Sequence, residues 1–68
     1  MKDVTLGGVE VIDTTEKAVL IAWTVASEEH TSWVPRSLCL DGDTLNIGDT
    51  DVCVAKWFAN KEDLPWEG

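Results

Sequence analysis

The chain has no run of 18 apolar residues and no segment patterned like a secretory leader. That sets aside a membrane-crossing helix and leads us to expect a soluble protein of the cytoplasm. Cysteine is scarce: Cys39 and Cys53 are the only two, too few for a disulfide-dense secreted scaffold. In a reducing compartment they would serve as small buried hydrophobes. The sequence holds one histidine, His30, and one arginine, Arg36. With His30, Cys39 and Cys53 as its only soft donors, it matches no zinc spacing of the C-x₂-C or H-x₃₋₅-H kind. A Cys–His nucleophilic pair would also need a pocket and an orienting third group, and the pattern marks neither.

The segment "DGDTLNIGD" (41–49) has the look of a calcium loop but fails where such loops are diagnostic. Counted from Asp41, position 5 is Leu45, position 6 is Asn46 and position 12 is Val52, where a ligand, a glycine and a glutamate are needed. No metal and no cofactor are therefore expected. Length points the same way. A chain of 68 residues is one domain that buries only ~60% of its unfolded surface, leaving little energy for a deep, strained pocket. The expectation is a protein that is not an enzyme.

Positive charge is also in short supply. Thirteen acids face five bases, for a net charge of −8, and Lys2, Lys17, Arg36, Lys56 and Lys61 are scattered through the chain. Binding phosphate backbones or anionic lipid requires clustered cations, so direct nucleic-acid or membrane contact is not expected. A basic protein surface would be attracted over about 8 Å of screened distance. The bland counterpart is that acids keep a small protein in solution.

The apolar pattern gives the architecture. "VTLGGVEVI" (4–12) alternates around Gly7–Gly8 and predicts one strand with a bulge or bend. "AVLIAWTV" (18–25) predicts a central strand buried on both faces. "ASEEH" (26–30) predicts the turn of a hairpin, and "TSWVP" (31–35) the next strand, stopped at Pro35. "SLCL" predicts a helical turn capped by Ser37. "DGDT" and "GDTD" predict two Gly-Asp turns, with positive φ at Gly42 and Gly48 and Asx-turn bonding by the aspartates. "DVCVAKWFANKED" (51–63) starts β-like and ends as a helix, with Val54, Trp57 and Phe58 on one helical face. The tail "LPWEG" is extended, with Trp66 docked or frayed. The sum is an α+β chain: an antiparallel meander of three or four strands with one C-terminal helix packed on it.

Within "HTSWVPRS" (30–37), period two turns Thr31 and Trp33 one way and His30, Ser32 and Val34 the other. Trp33 is assigned to the core, and Arg36 to stapling a nearby aspartate. The candidate site lies in the acids on the predicted turns: Glu28 and Glu29, Asp41 and Asp43, Asp49 and Asp51. Acids two apart on an extended segment stand ~6.8 Å apart on one face, a row able to imitate phosphates.

"TTEKAVLI", "SWVPRSLC", "GDT" and "VAKWFANKEDL" resemble, in that order, segments of small accessory proteins encoded by phages and prophages. The resemblance covers about residues 14–64 and implies a phage setting and a mostly β fold closed by a helix. Size and charge are similar to those of small acidic anti-CRISPR proteins that act as DNA mimics. The resemblance implies a monomeric inhibitor in the infected host's cytoplasm. It would cover the nucleic-acid-binding surface of a host defence complex, such as a CRISPR surveillance complex, with its acidic face. Two other readings stand beside it. One is an accessory module that holds single-stranded nucleic acid through Trp33 and Arg36. The other is an assembly protein that oligomerises through Trp66 and a sheet edge.

Overall fold

A computed structural model describes residues 2–67. The strands are β1 (Asp3–Leu6), β2 (Glu10–Thr14), β3 (Ala18–Val25), β4 (Glu28–Pro35), β5 (Cys53–Ala55) and β6 (Trp66–Glu67). A short helix, α1 (Lys56–Lys61), and 3₁₀ turns at Arg36–Leu38 and Gly42–Thr44 complete the chain. This is a small α+β fold, and its strands form two antiparallel sheets, ordered β2-β3-β4 and β5-β1-β6. The expected meander is the first sheet. The second joins the start of the chain to its end, a long-range pairing that local alternation does not encode.

Gly7–Gly8 is where the sheets part. The alternation predicted one strand through residues 4–12, but β1 and β2 belong to different sheets. Gly8, at φ +70°, supplies a left-handed backbone that a side chain would resist. Leu6 and Val9 remain buried on either side of the bend, so the chain changes sheets without leaving the core. That core gathers Val11, Val19, Ile21 and Val34 from one sheet, Val4 and Val54 from the other, and Phe58, Ala59 and Leu64 from the C-terminal segment.

β3 is central, but only one of its faces is covered. Val19 and Ile21 are fully buried while Leu20 and Ala22 are half-buried, because the second sheet and α1 pack against a single face. The β3–β4 turn is shorter than expected. Only Ala26 and Ser27 are unpaired, and Val25 sits opposite Glu28, so Glu28, Glu29 and His30 are strand residues. Both turn residues have positive φ, 50° and 70°, the geometry of a two-residue turn that matches strand twist.

The C-terminal segment starts as a strand and ends as a helix, as its pattern predicts, with one correction: Val54 lies in β5 and not on the helical face, because the helix begins only at Lys56. Six residues leave room to bury Phe58 and Ala59, and Trp57 is 51% exposed. Beyond α1, Leu64 N–H donates to the Ala59 carbonyl at 2.9 Å and Asp63 N–H to that of Asn60 at 3.4 Å. Asp63 sits at φ 54°. This is a Schellman ending with an aspartate in the left-handed position where glycine is commonest, and it drops Leu64 into the core. Trp66 is docked: it pairs with Leu6, and the Lys56 ammonium stands 5.4 Å from its ring centre. Gly68 of the tail lies outside the described residues.

The Ala26–Ser27 turn uses two residues ill suited to positive φ. Replacing them with Asn and Gly should raise stability by ~0.5–1 kcal/mol. Urea melts test this; a lower midpoint would show that the turn is not held in the left-handed region.

Candidate functional site

Arg36 was expected to staple an aspartate. Instead its guanidinium gathers backbone carbonyls. Nε donates to Thr15 O at 3.1 Å, and Nη1 donates to Gly42 O at 2.6 Å and Leu45 O at 3.1 Å. Its own N–H donates to Lys17 O at 2.8 Å. One half-buried side chain thus ties the β2–β3 turn to both ends of the 42–45 segment. Ser37 does not cap a helical turn but lies inside the 3₁₀ turn Arg36–Leu38, whose N-cap is Pro35, without a side-chain bond. These bonds leave Nε and Nη1 of Arg36 committed, against its assignment as a phosphate contact.

Gly42 is required by space, not by φ. The positive φ at this turn belongs to Asp41, at 53°, while a Cβ on buried Gly42 would overlap the Arg36 carbonyl. The Thr44 hydroxyl and N–H both donate to Asp41 O, at 2.8 and 3.0 Å. Of the aspartates in the two turns, one makes a side-chain bond, and it is not an Asx-turn: Asp49 Oδ2 accepts Asn46 N–H, three residues back, at 2.8 Å. Asp49 is half-buried, and its carbonyl accepts Val11 N–H, so its role is structural.

The six candidate acids divide into two groups. Asp41 and Asp43, with Glu16, line one open depression beside Arg36. Asp41, Asp49 and Asp51 line a second, of about 490 Å³, with Leu40. Asp41 belongs to both, so the loop acids form one continuous face. Glu28 and Glu29 lie at the far end of β4, roughly 20 Å away by strand rise. Successive strand residues point to opposite faces, so those two carboxylates do not stand side by side as a turn pair would.

The pattern concealed two features of the loop face. Leu40 and Ile47 are 56% and 64% exposed, although neither stands out in the sequence pattern. The signal was available in their flanks, because each is followed at once by a Gly-Asp turn that leaves no strand or helix to bury it. Trp33, assigned to the core, is 48% exposed. The alternation of β4 is as expected, but Val34 marks the buried face and Trp33 the open one. His30 stacks on Trp23 across the hairpin, with ring centres 5.8 Å apart.

Both thiols are free. Cys39 is buried and donates to Pro35 O at 3.5 Å, and Cys53 lies 3.3 Å from the Thr5 hydroxyl. Burial pushes the Cys39 thiol up from 9.0 to about 11; the Arg36 guanidinium pulls against that rise and Cys53 adds to it. Among the described residues no three His, Cys, Asp or Glu side chains are gathered closely enough to hold a metal ion, and no helix is long and apolar enough to cross a membrane. The chain matches no family model, no curated protein and no solved structure.

Arg36→Met keeps the stem and removes the donors, leaving three carbonyls without their charged partner. Stability should fall by about 2–4 kcal/mol, and Gly42→Ala should cost ~1–3 kcal/mol through the overlap with Arg36 O; a urea midpoint within error of the wild type would refute either. The buried thiol makes a separate prediction. A raised folded-state pKa favours the protonated fold, so this contribution is full below pH 9 and lost as pH rises through about 11. Relative to Cys39→Ala, the wild type should lose roughly 2 kcal/mol across that window. A constant difference between the two proteins from pH 8 to 11.5 would rule this out.

Proposed function

We propose that the chain is a non-enzymatic, phage-encoded inhibitor that binds a basic protein surface through the loop face of residues 40–51. The surface it fits is one that normally holds nucleic acid in a host defence complex, such as a CRISPR surveillance complex. One observation carries the reading. Leu40, more than half exposed, shares an open depression with Asp41, Asp49 and Asp51, and Ile47, also more than half exposed, lies in the same loop segment. Apolar side chains within a rim of carboxylates have the composition of a protein-binding patch and differ from a uniformly solvated acidic face.

The chemistry is that of phosphate replacement. Arginine and lysine side chains arranged for a backbone find carboxylates instead, and the charge-assisted hydrogen bonds are retained. Leu40 and Ile47 add apolar burial that a phosphate backbone lacks, favouring the protein over the nucleic acid it displaces. The net charge of −8 steers the encounter, and Glu28 and Glu29 contribute to that field from a distance. The commitment of Arg36 to three carbonyls, together with the surrounding acids, weighs against a single-stranded nucleic-acid module centred on Trp33.

Reversing Asp41→Lys and Asp43→Lys adds two charges at each position, so the net charge goes from −8 to −4. Both side chains are exposed, and the left-handed backbone at Asp41, φ 53°, suits lysine less well than aspartate, so the melting midpoint should drop only slightly while inhibition of the defence complex and competition with its DNA are lost. Leu40→Ser with Ile47→Ser should weaken binding about tenfold, at unchanged salt dependence. Charge-reversed protein that inhibits as well as the wild type would overturn the electrostatic reading.

A further inference from the structure

The two sheets cover most of their own edges. On β2, Val11 N–H donates to Asp49 O at 2.9 Å and Val11 O accepts Gly48 N–H at 2.8 Å. On β5, Cys39 bridges to Val54 and Leu40 N–H donates to Cys53 O at 2.9 Å. β6 is only two residues long. Among the described residues β4, with eight, is the one long strand with an open edge. The two-residue turn makes Val25 and Glu28 the hydrogen-bonded pair that closes the hairpin. Alternation then aims the backbone groups of Glu28, His30, Ser32 and Val34 at β3, and those of Glu29, Thr31 and Trp33 outward.

Open edges are usually blunted by charged side chains, above all lysine, by proline or by a bulge. β4 carries Glu28 and Glu29 at its start but no lysine, its register with β3 runs without a shift, and its proline comes only at the last position. Beside it lies a groove of about 390 Å³, lined by Trp23 and Val25 of β3, by His30, Thr31 and Ser32 of β4, and by Glu62 and Asp63 from the Schellman turn beyond α1. The groove thus runs from the inner face of the hairpin to Thr31 on the edge strand, and the two acids share it. On the outer face of the sheet, exposed Trp33 lies opposite half-buried Leu20.

We propose that the β4 edge is a strand-addition site for an extended basic segment of a partner protein. The added strand pairs with Glu29, Thr31 and Trp33 through main-chain hydrogen bonds. Its alternate side chains meet two different environments. Lysine or arginine enters the groove toward Glu62 and Asp63, and apolar residues lie against Trp33. Charge selects the occupant. A second copy would bring two chains of −8 together with Glu28 and Glu29 on the paired strands, which disfavours self-pairing. A basic strand turns the same carboxylates into attraction. This edge is separate from the 40–51 loop face, so either site can fail without the other.

The test uses the full chain and a seven-residue peptide alternating valine and lysine, followed by amide chemical shifts and hydrogen exchange. Binding should protect the Thr31 and Trp33 amides. N-methylating the peptide at the positions that face β4 should weaken it at least about tenfold, with the protein unaltered. Glu62→Gln with Asp63→Asn, which preserves the turn, should weaken it similarly, whereas Asp41→Lys with Asp43→Lys should leave the amide protection in place. Equal affinity for the N-methylated peptide would overturn the proposal, as would protection confined to other strands or no binding at millimolar peptide. Thr31 and Trp33 amides already protected in free protein that sediments as a dimer would overturn it in favour of a second copy.

Discussion

The fold depends on one cation spent internally. The guanidinium of Arg36 holds the carbonyls of Thr15, Gly42 and Leu45, and through them fixes how the 39–52 excursion lies against the first sheet. That excursion has little regular structure of its own, only the 3₁₀ turn at Gly42–Thr44 and two segments that pair with strand edges. In a chain this small, backbone carbonyls brought near the core need partners that secondary structure does not provide. A charged fork with several donors on one side chain meets that need where neutral side chains would have to be several. Gly42 is the counterpart of the same constraint, since its missing Cβ lets the segment approach the Arg36 carbonyl.

This arrangement explains why the acidic loops can stay exposed. If Arg36 had paired with a carboxylate, the loop face would have lost charge and the excursion its anchor. Because carbonyls satisfy it instead, Asp41, Asp43 and Asp51 remain exposed, and only Asp49 is drawn into local bonding. Ordering the loop and presenting charge are carried by different residues. The same separation holds at the other end of the molecule, where Asp63 turns the backbone after α1 while its carboxylate lines the groove beside β4.

Period-two alternation made the first sheet legible: β3 and the end of β4 at Pro35 lie where the apolar pattern puts them. The closing helix is present but starts at Lys56, after Val54 has been taken into β5. What alternation could not give was partnership. β1 and β2 read as one strand because both sides of Gly7–Gly8 are apolar and in phase, yet they pair with strands far apart in the chain. It also could not say which face of β4 is covered, because that depends on where the second sheet packs. Trp33 was therefore placed inside and is found outside. Composition revealed the acids. Their division into a loop face and a distant hairpin end follows from Glu28 and Glu29 being strand residues, which a tighter turn than expected decides.

β1 is the middle strand of its sheet, although it comes first in the chain. It is flanked by residues 53–55 and 66–67, so it must wait, unpaired on both sides, for the C-terminal segment. The β2-β3-β4 meander needs no such delay, because its pairings are between neighbours. Folding is thus divided in order: the hairpin-built half can form from neighbouring segments, and the second sheet closes only once residues 53–67 are also free to pair. Until then the first sheet's core face, with Val11, Val19, Ile21 and Val34, lacks the second sheet that covers it.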